Sequence, residues 1–451
     1  MKKLAAIFKN KEIVDRIFFT IMILLVFRIG AAITVPGVNI DNFSFANSDA
    51  LSLMNMLGGG TLQNFSIFAL GVSPYITAQI IVQLLTMDVL PALTELSKQG
   101  QYGRKKLEMA TRYLTLMLGA VQAYGIIKTM ENSSYITLAD TSFWGYAYIV
   151  TVMLAGTMLA MWLGDQITTK GIGNGISMII FAGIVVSLPN QIRSAYSQWL
   201  AAKFGQTTER ILTGALQFGI YLLAFLIIIA FITFIESSQR RIPVQNAGKG
   251  GQMAKYAKAS FLPIKVNASG VIPVIFASSI MTAPQVIVSF ITGADTSAEW
   301  LKVFSTSSLV KMPWFNDTTW QMPWGFIIYI FLVVLFTFFY AKIQINPEKL
   351  AENFQKNGSY IPGIRPGNET ERYVGKVVNR ITVIGAISLA LVAALPIALV
   401  LLKIVPDQSM ALGGTGLIIV VGVAIELNTQ IDGLIAGKSF DEVIRPGGGI
   451  F

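Results

Sequence analysis

Glycines at 171, 173 and 175, with Asn174 between the last two, give the chain a run whose spacing could cradle a phosphate. That chemistry needs a preceding strand and a βαβ frame, and the residues before it, Val150 to Leu163, are too long and too apolar a run for such a strand. The glycines are better suited to positive φ and a sharp bend between two apolar runs. Other chemistry is scarce. The chain has no histidine and no cysteine, which removes disulfides, thiolate or imidazole metal sites and Cys or His nucleophiles. There is no Walker motif, and no convincing carboxylate pair or Ser-Lys dyad sits on facing spans. Neither an enzyme nor a cofactor or metal site is expected.

The elements that must position these residues are membrane spans. Hydrophobic residues make up 53% of the 451, charged residues 13%, and the mean hydropathy is +0.62. No soluble domain of this size has that composition. A hydrocarbon core about 30 Å thick needs about 20 apolar residues of helix. Ten runs meet that need: 15–35, 66–87, 113–130, 143–163, 175–191, 213–235, 268–291, 324–345, 379–402 and 412–430. The first carries Arg28 inside it and lacks a cleavage site, so it is expected to remain as a span. Ten spans leave both termini on one side, which also holds 26 of the 34 Lys and Arg residues. The positive-inside rule makes that side the cytoplasm.

The basic excess concentrates in two loops, 236–267 and 346–378. They read either as solvated topology signals or as a docking surface for something anionic, such as ribosomal RNA or an acidic protein face. Five spans precede the external loop 192–212 and five follow it, the condition for two halves of inverted topology. The stretch Ala50 to Leu57 is apolar but short, and Gly58, Gly59 and Gly60 end it. It reads as a half-helix buried in a protein cavity or as an interfacial helix on the outer surface. Arg28 is the clearest charge within a span, and such charges usually face the protein interior. It is read as holding the first span against its neighbours.

Four longer runs carry a family likeness. They are LGVSPYITAQIIVQLL (70–85), WLGDQITTKGIGNGISMIIFAGI (162–184), LPIKVNASGVIPVIFASSI (262–280) and PGIRPGNETERY (362–373). In that order, each in its span or loop, they closely resemble the SecY family, the large subunit of the bacterial protein-conducting channel. The resemblance runs from about Asp15 to Ile431. It implies an all-α polytopic membrane protein with ten transmembrane helices, arranged as two inverted five-helix halves around a central pore. The halves would be 1–191 and 213–430, joined by an external linker at 192–212 and followed by a cytoplasmic tail at 431–451.

The likeness also implies roles for residues. Val72, Ile76, Ile176, Ile180, Ile275 and Ile419 match a midplane pore ring, an aliphatic gasket that binds no polar group strongly. Val72 is smaller than the family's usual isoleucine. Residues 50–64 match a plug, including Leu51, Leu53, Met54, Leu57 and Gly58 to Gly60. Spans at 68–85 and 271–291 resemble the walls of a lateral gate, which Gly71, Pro74, Gly270, Pro273 and Pro284 would weaken. Thr77, Gln79, Ser278 and Ser279 would form polar contacts across it, or simply permit close packing. Arg365, between two prolines, matches the residue that engages the SecA motor ATPase. Arg240 and Arg241 resemble the base of the other docking loop. Lys255 and Lys258 lie further along that loop, where Gln252, Met253 and Ala254 replace a basic pair common in the family.

Implied partners are SecE-like and SecG-like small membrane subunits, SecA, the ribosome, signal sequences with their nascent polypeptides, and membrane lipid. The implied location is the bacterial plasma membrane. The rival is an ion-coupled secondary transporter, which should show charged residues at mid-span. Away from the span ends only Arg28 is found, with Glu426 near the end of the last span.

Overall fold

A computed structural model of the chain describes residues 8, 10–40, 55, 58, 60–86, 90–132, 135–201, 208–246, 261–292, 299–305, 310–311, 321–401 and 414–444. Helices dominate. They are α1 (Lys11–Gly30), α2 (Ser73–Leu85), α3 (Pro91–Lys98), α4 (Gly100–Asn132), α5 (Phe143–Lys170) and α6 (Gly175–Trp199). Then follow α7 (Thr208–Ser237), α8 (Ile272–Thr292), α9 (Trp324–Gln344), α10 (Pro347–Lys356), α11 (Asn368–Leu401) and α12 (Gly414–Ile444). Among the described residues each of the ten apolar runs overlaps one of these helices, though some, such as 15–35 and 66–87, reach beyond theirs. Stretches on α5, α6, α7, α9, α11 and α12, six in all among the described residues, are long and apolar enough to cross a membrane. Helix α2 and the stretch Ile272–Pro284 are apolar but shorter. The other two runs lie on α1, whose first turns hold Lys11, Glu12, Asp15 and Arg16, and on the more polar α4.

The run at 66–87 does not form one continuous span. Residues 66–72 are turns, and α2 has only 13 residues, about 20 Å of helix. Short backbone turn bonds, joined by side-chain hydroxyls, take the place of helical bonds in the approach. The Thr61 hydroxyl donates to the carbonyls of Gly58 and Phe68, and the Ser66 hydroxyl donates to the Thr61 carbonyl. Gly71 has φ +54°, which releases the chain into α2. Pro74 does not weaken that helix, because it lies in the first turn, where a missing N–H costs nothing. Pro273 is likewise the second residue of α8, so Pro284 alone interrupts that helix from inside.

Small antiparallel sheets tie the loops. Strands β1 (Val38–Ile40) and β2 (Ile136–Leu138) pair with Val38 opposite Leu138. Strands β3 (Gln239–Pro243) and β5 (Phe261–Lys265) form a ribbon with Arg240 opposite Ile264. Strand β4 (Gln245–Asn246) pairs with β8 (Ser359–Tyr360), which joins the 236–267 loop to the 346–378 loop. A further pair, β6 (Val310–Lys311) and β7 (Gln321–Met322), lies between α8 and α9. Burial separates into an apolar cluster shared by α1, α2, α5, α6, α8, α9 and α12, a second around α7, α8, α9, α11 and α12, and a third beside α4 and α5. A fourth, of Ile242, Ile264, Ile361, Val374 and Val378, lies under the two joined loops.

The glycine turn at 171–175 is built for close approach. Only Gly173 has positive φ, at +88°. A methyl at Gly175 would overlap the Gly164 carbonyl, and one at Gly171 would strike the Thr20 hydroxyl. Replacing Gly175 with Ala should therefore force α5 and α6 apart and cost about 1–3 kcal/mol. Thermal unfolding in detergent checks this, since an unchanged midpoint would mean that the turn relaxes freely.

Candidate channel and gate

The turn at 171–175 fixes the start of α6 through bonds to both ends of the chain. Ile172 N–H donates to the Thr20 hydroxyl on α1 at 3.0 Å, and Gly173 N–H donates to Gln430 Oε1 on α12 at 2.8 Å. Gly175 N–H donates to Thr168 Oγ1 at 2.9 Å, and Asn174 Oδ1 caps the helix at the Ile176 N–H. The last two satisfy orphan donors of the helix start, and the first two fix the turn before it. They also settle the direction in which Ile176 and Ile180, one turn apart, project from α6.

All six aliphatic ring candidates meet in one cluster. Val72, Ile76, Ile180, Ile275 and Ile419 are buried within it, and the partly buried Ile176 packs against it. They arrive from α2 and its N-cap, from α6, from α8 and from α12. Above four of them opens a cavity of about 500 Å³. Its floor includes Ile76, Ile176, Ile180 and Ile275, while Gln79, Gln83, Glu108, Arg112, Asp165 and Ser177 give it polar walls. Arg112 pairs with Asp165 at 2.8 Å, both about half exposed, so the pair stays hydrated and contributes little to stability. The arrangement is a cavity with polar and apolar lining, bordered on one side by clustered aliphatic groups.

The other expected residues are placed as follows. Of the plug candidates, Gly58 and Gly60 are described, whereas Leu51, Leu53, Met54, Leu57 and Gly59 lie outside the described residues. Gly58 packs so closely on Gly71 that a methyl there would overlap its Cα, so the end of this segment touches the residue preceding Val72. Gly60 has φ +77°. Among the gate candidates, Thr77 donates to the Ser73 carbonyl and Ser278 to the Ile275 carbonyl, each within its own helix. Ser279 is buried, and Gln79 is exposed to the cavity. These four make no hydrogen bond to one another among the described residues. The bond that does cross from α2 to the second half is Tyr340 O–H to Gln83 Oε1, 3.0 Å. Sequence reading passed over it because a tyrosine and a glutamine in spans far apart in the chain carry no motif.

Arg240 and Arg241 lie exposed on β3, and the Arg241 guanidinium rests over the Phe261 ring at 4.9 Å from its centre. Arg365 is exposed on a turn held at both of its backbone groups, its N–H donating to Glu369 Oε2 and its carbonyl accepting from the Thr370 hydroxyl. Between the strands and that turn, α10 carries a Lys356–Glu352 pair, and the hydrogen bond from Lys356 holds the Glu352 carboxyl below its usual range. Lys255 and Lys258 lie outside the described residues. Arg28 departs from the expected interior position. It is exposed in the last turn of α1, where a cation faces the negative end of the helix dipole.

The SecY family model matches residues 66–428. The chain belongs to the SecY family. It is 44% identical over 444 residues to a protein translocase subunit SecY of Streptococcus sanguinis strain SK36, covering 97% of this chain and 98% of that one. A protein of the same name from Lactococcus lactis subsp. lactis strain IL1403 is 44% identical over 443 residues, 97% of each. The fold matches a solved protein conducting channel with TM-score 0.63 at 17% identity, covering 93% of this chain and 92% of that one. It also matches Sec61 in a canine ribosome-channel complex from the endoplasmic reticulum, with TM-score 0.62, 17% identity and the same coverage.

A residue-level repeat within this family member was missed in the sequence. Gly71-Val72-Ser73-Pro74-Tyr75-Ile76-Thr77-Ala78 aligns with Gly270-Val271-Ile272-Pro273-Val274-Ile275-Phe276-Ala277, which share Gly, Val, Pro, Ile and Ala in register. Both glycines have positive φ, +54° and +62°, and both segments open a gate-candidate helix. Five identities in eight positions, 199 residues apart, are too short to find by eye without the structure.

At the root of the β3–β5 ribbon, a buried amide joins the two chain ends. Asn267 Nδ2 donates to Glu236 Oε1 at the end of α7 and to the Gly270 carbonyl before α8, and its Oδ1 accepts from Ser269. Asn267→Ala would leave the buried Glu236 carboxylate without its donor, at a cost of about 1–3 kcal/mol. An unfolding midpoint equal to that of the parent protein would show that water replaces the amide.

Proposed function

We propose that the chain forms a channel through which unfolded secretory polypeptides cross the bacterial plasma membrane, and whose side opens to release apolar segments into lipid. The observation that carries this reading is the gathering of six aliphatic side chains in one cluster, four of which border a partly polar cavity. A gasket of this kind deforms around side chains of any chemistry and gives ions no stable site. The full-length relatives bear the name protein translocase. Nothing in their names speaks for an ion-coupled transporter.

In this reading ten helices cross the bilayer, with both termini in the cytoplasm. They form inverted halves at 1–191 and 213–430, joined by 192–212, with 431–451 as a tail. The repeat before α2 and α8 supports the inversion, since it marks the second spanning helix of each half. Helices α2 and α8 are walls of the lateral gate. The segment 50–64 is the plug, and the Gly58–Gly71 contact supports a resting place beside Val72. The chain does no chemistry of its own. Energy comes from a SecA-like motor or from a ribosome, either docking on Arg240, Arg241, Lys255, Lys258 and Arg365, while SecE-like and SecG-like subunits complete the membrane assembly. Strand pairing between the two docking loops supports a single docking body.

Proteoliposomes containing the assembled channel, given motor and ATP, should import an unfolded precursor. Arg365→Glu reverses charge on a turn whose backbone bonds do not involve the side chain, so the variant should fold normally and lose motor-driven import. Undiminished import would remove Arg365 from the docking surface. Deletion of residues 50–64 should raise ion leakage through the resting channel, and an unchanged conductance would remove the plug.

A further inference from the structure

Helix α8 is interrupted from inside by Pro284. Proline has no N–H, so the Ile280 carbonyl, four residues back, loses its usual helical donor. In a membrane span such a freed carbonyl is met by a Ser or Thr hydroxyl or by a neighbouring helix. Two hydroxyls nearby are already taken, since Ser278 donates to the Ile275 carbonyl and Thr282 to the Ser279 carbonyl. The neighbouring helix is α9, on which α8 chiefly packs.

Ring contacts set the register of this pair. Phe276 lies 5.5 Å from Phe336 and 4.7 Å from Tyr340. In the ten-span reading α8 and α9 run in opposite directions. Pro284 follows Phe276 by about 12 Å of helix, and Tyr329 precedes Phe336 by about 10 Å, so the two lie about level. They also share a side of the pair. Ala277, Met281 and Pro284 fall on one face of α8 by their spacing, and Ala277 and Met281 belong to the apolar cluster that buries Tyr329 and Val333. Tyr329 is 2% exposed, and its hydroxyl makes no hydrogen bond among the described residues. A buried hydroxyl without a partner destabilises the state that contains it.

We propose that Tyr329 is a positioning residue for gate opening, its hydroxyl donating to the Ile280 carbonyl when α8 bends at Pro284. The inference rests on the channel and gate reading above and deepens it. A helix bends most readily at proline, where the bond that would resist is already missing. Bending turns the freed carbonyl outward from the helix axis, toward the hydroxyl at its own level. Two groups left unmet in the closed wall then pair in the open one, so the bond favours opening without touching the precursor or α2. The bend also moves the part of α8 that holds Ile275 and Phe276 relative to the part beyond Pro284.

Two variants test this in the assembled channel. Tyr329→Phe removes only the hydroxyl, and Pro284→Ala returns an N–H to the Ile280 carbonyl. In proteoliposomes with motor and ATP, each should lower precursor import about threefold or more, the scale of one hydrogen bond between membrane helices. The unfolding midpoint in detergent should stay level or rise, because each change removes an unmet group from the closed state. A merely structural role would lower both together. The double variant should lower import no further than the stronger single change, since both remove the same bond. Unaltered import in either variant would overturn the proposal, and so would multiplied effects in the double variant. A lower midpoint for either variant would show that the altered group is already satisfied in the closed state, which also overturns it. If the parent channel imports no precursor, the channel reading itself fails, an outcome distinct from any of these.

Discussion

A path for polypeptides through an apolar medium must be closed by something that a polypeptide can displace, and this constraint governs the structure. Charged or hydrogen-bonded closure would bind some side chains and repel others. Aliphatic closure does neither, but dispersion contacts have no direction, so the aliphatic groups must be aimed by polar bonds elsewhere. The turn at 171–175 supplies this aim. Three side-chain acceptors, Thr20, Thr168 and Gln430, take the N–H groups of Ile172, Gly175 and Gly173, and Ile176 and Ile180 follow from where the helix then begins. Thr20 belongs to α1 and Gln430 to α12, so one short turn registers both ends of the molecule against the aliphatic cluster.

Much of this was legible in the sequence, and the reasons for success and failure differ by residue. Most of each apolar run falls on a helix because span length is set by bilayer thickness, a constraint that acts on composition alone. The six aliphatic residues singled out by the family resemblance gather in one cluster; their own residue types would not have distinguished them from lipid-facing aliphatics. The approach to α2 was misjudged because residues 66–72 are as apolar as a helix, while their backbone is held in turns by short backbone bonds and by the Thr61 hydroxyl at the Phe68 carbonyl. Apolar character fixes burial, and hydrogen bonding fixes conformation. Arg28 was misplaced for the opposite reason, since distance from the end of an apolar run is a poor guide to distance from the end of the helix.

Long-range polar pairs were out of reach. Tyr340 with Gln83 and Gly173 with Gln430 are each separated by 257 residues, and Asn267 with Glu236 by 31. None has a local pattern, because the pairing is created by the fold. The loop residues were easier to nominate and harder to relate. Arg240 and Arg365 look like separate features in sequence, yet β4 and β8 pair and Ile242, Ile264, Ile361, Val374 and Val378 bury together beneath them.

That shared body has a mechanical consequence. A load applied at the Arg365 turn reaches the β3–β5 ribbon through paired strands and a common apolar core, both of which resist shear better than a flexible loop would. From the ribbon, β5 leads within a few residues through Asn267 and Gly270 into α8. Asn267 bonds at once to the end of α7 and to the carbonyl of Gly270, so the ribbon cannot tilt without disturbing the first turn of α8. Ile275 sits in that turn and packs in the constriction, and Phe276 beside it packs on Tyr340. The joined loops, the aliphatic cluster and the Tyr340 contact are therefore linked by one short segment of chain, from Phe261 to Phe276. A force on the loops would reach the aliphatic cluster without direct contact.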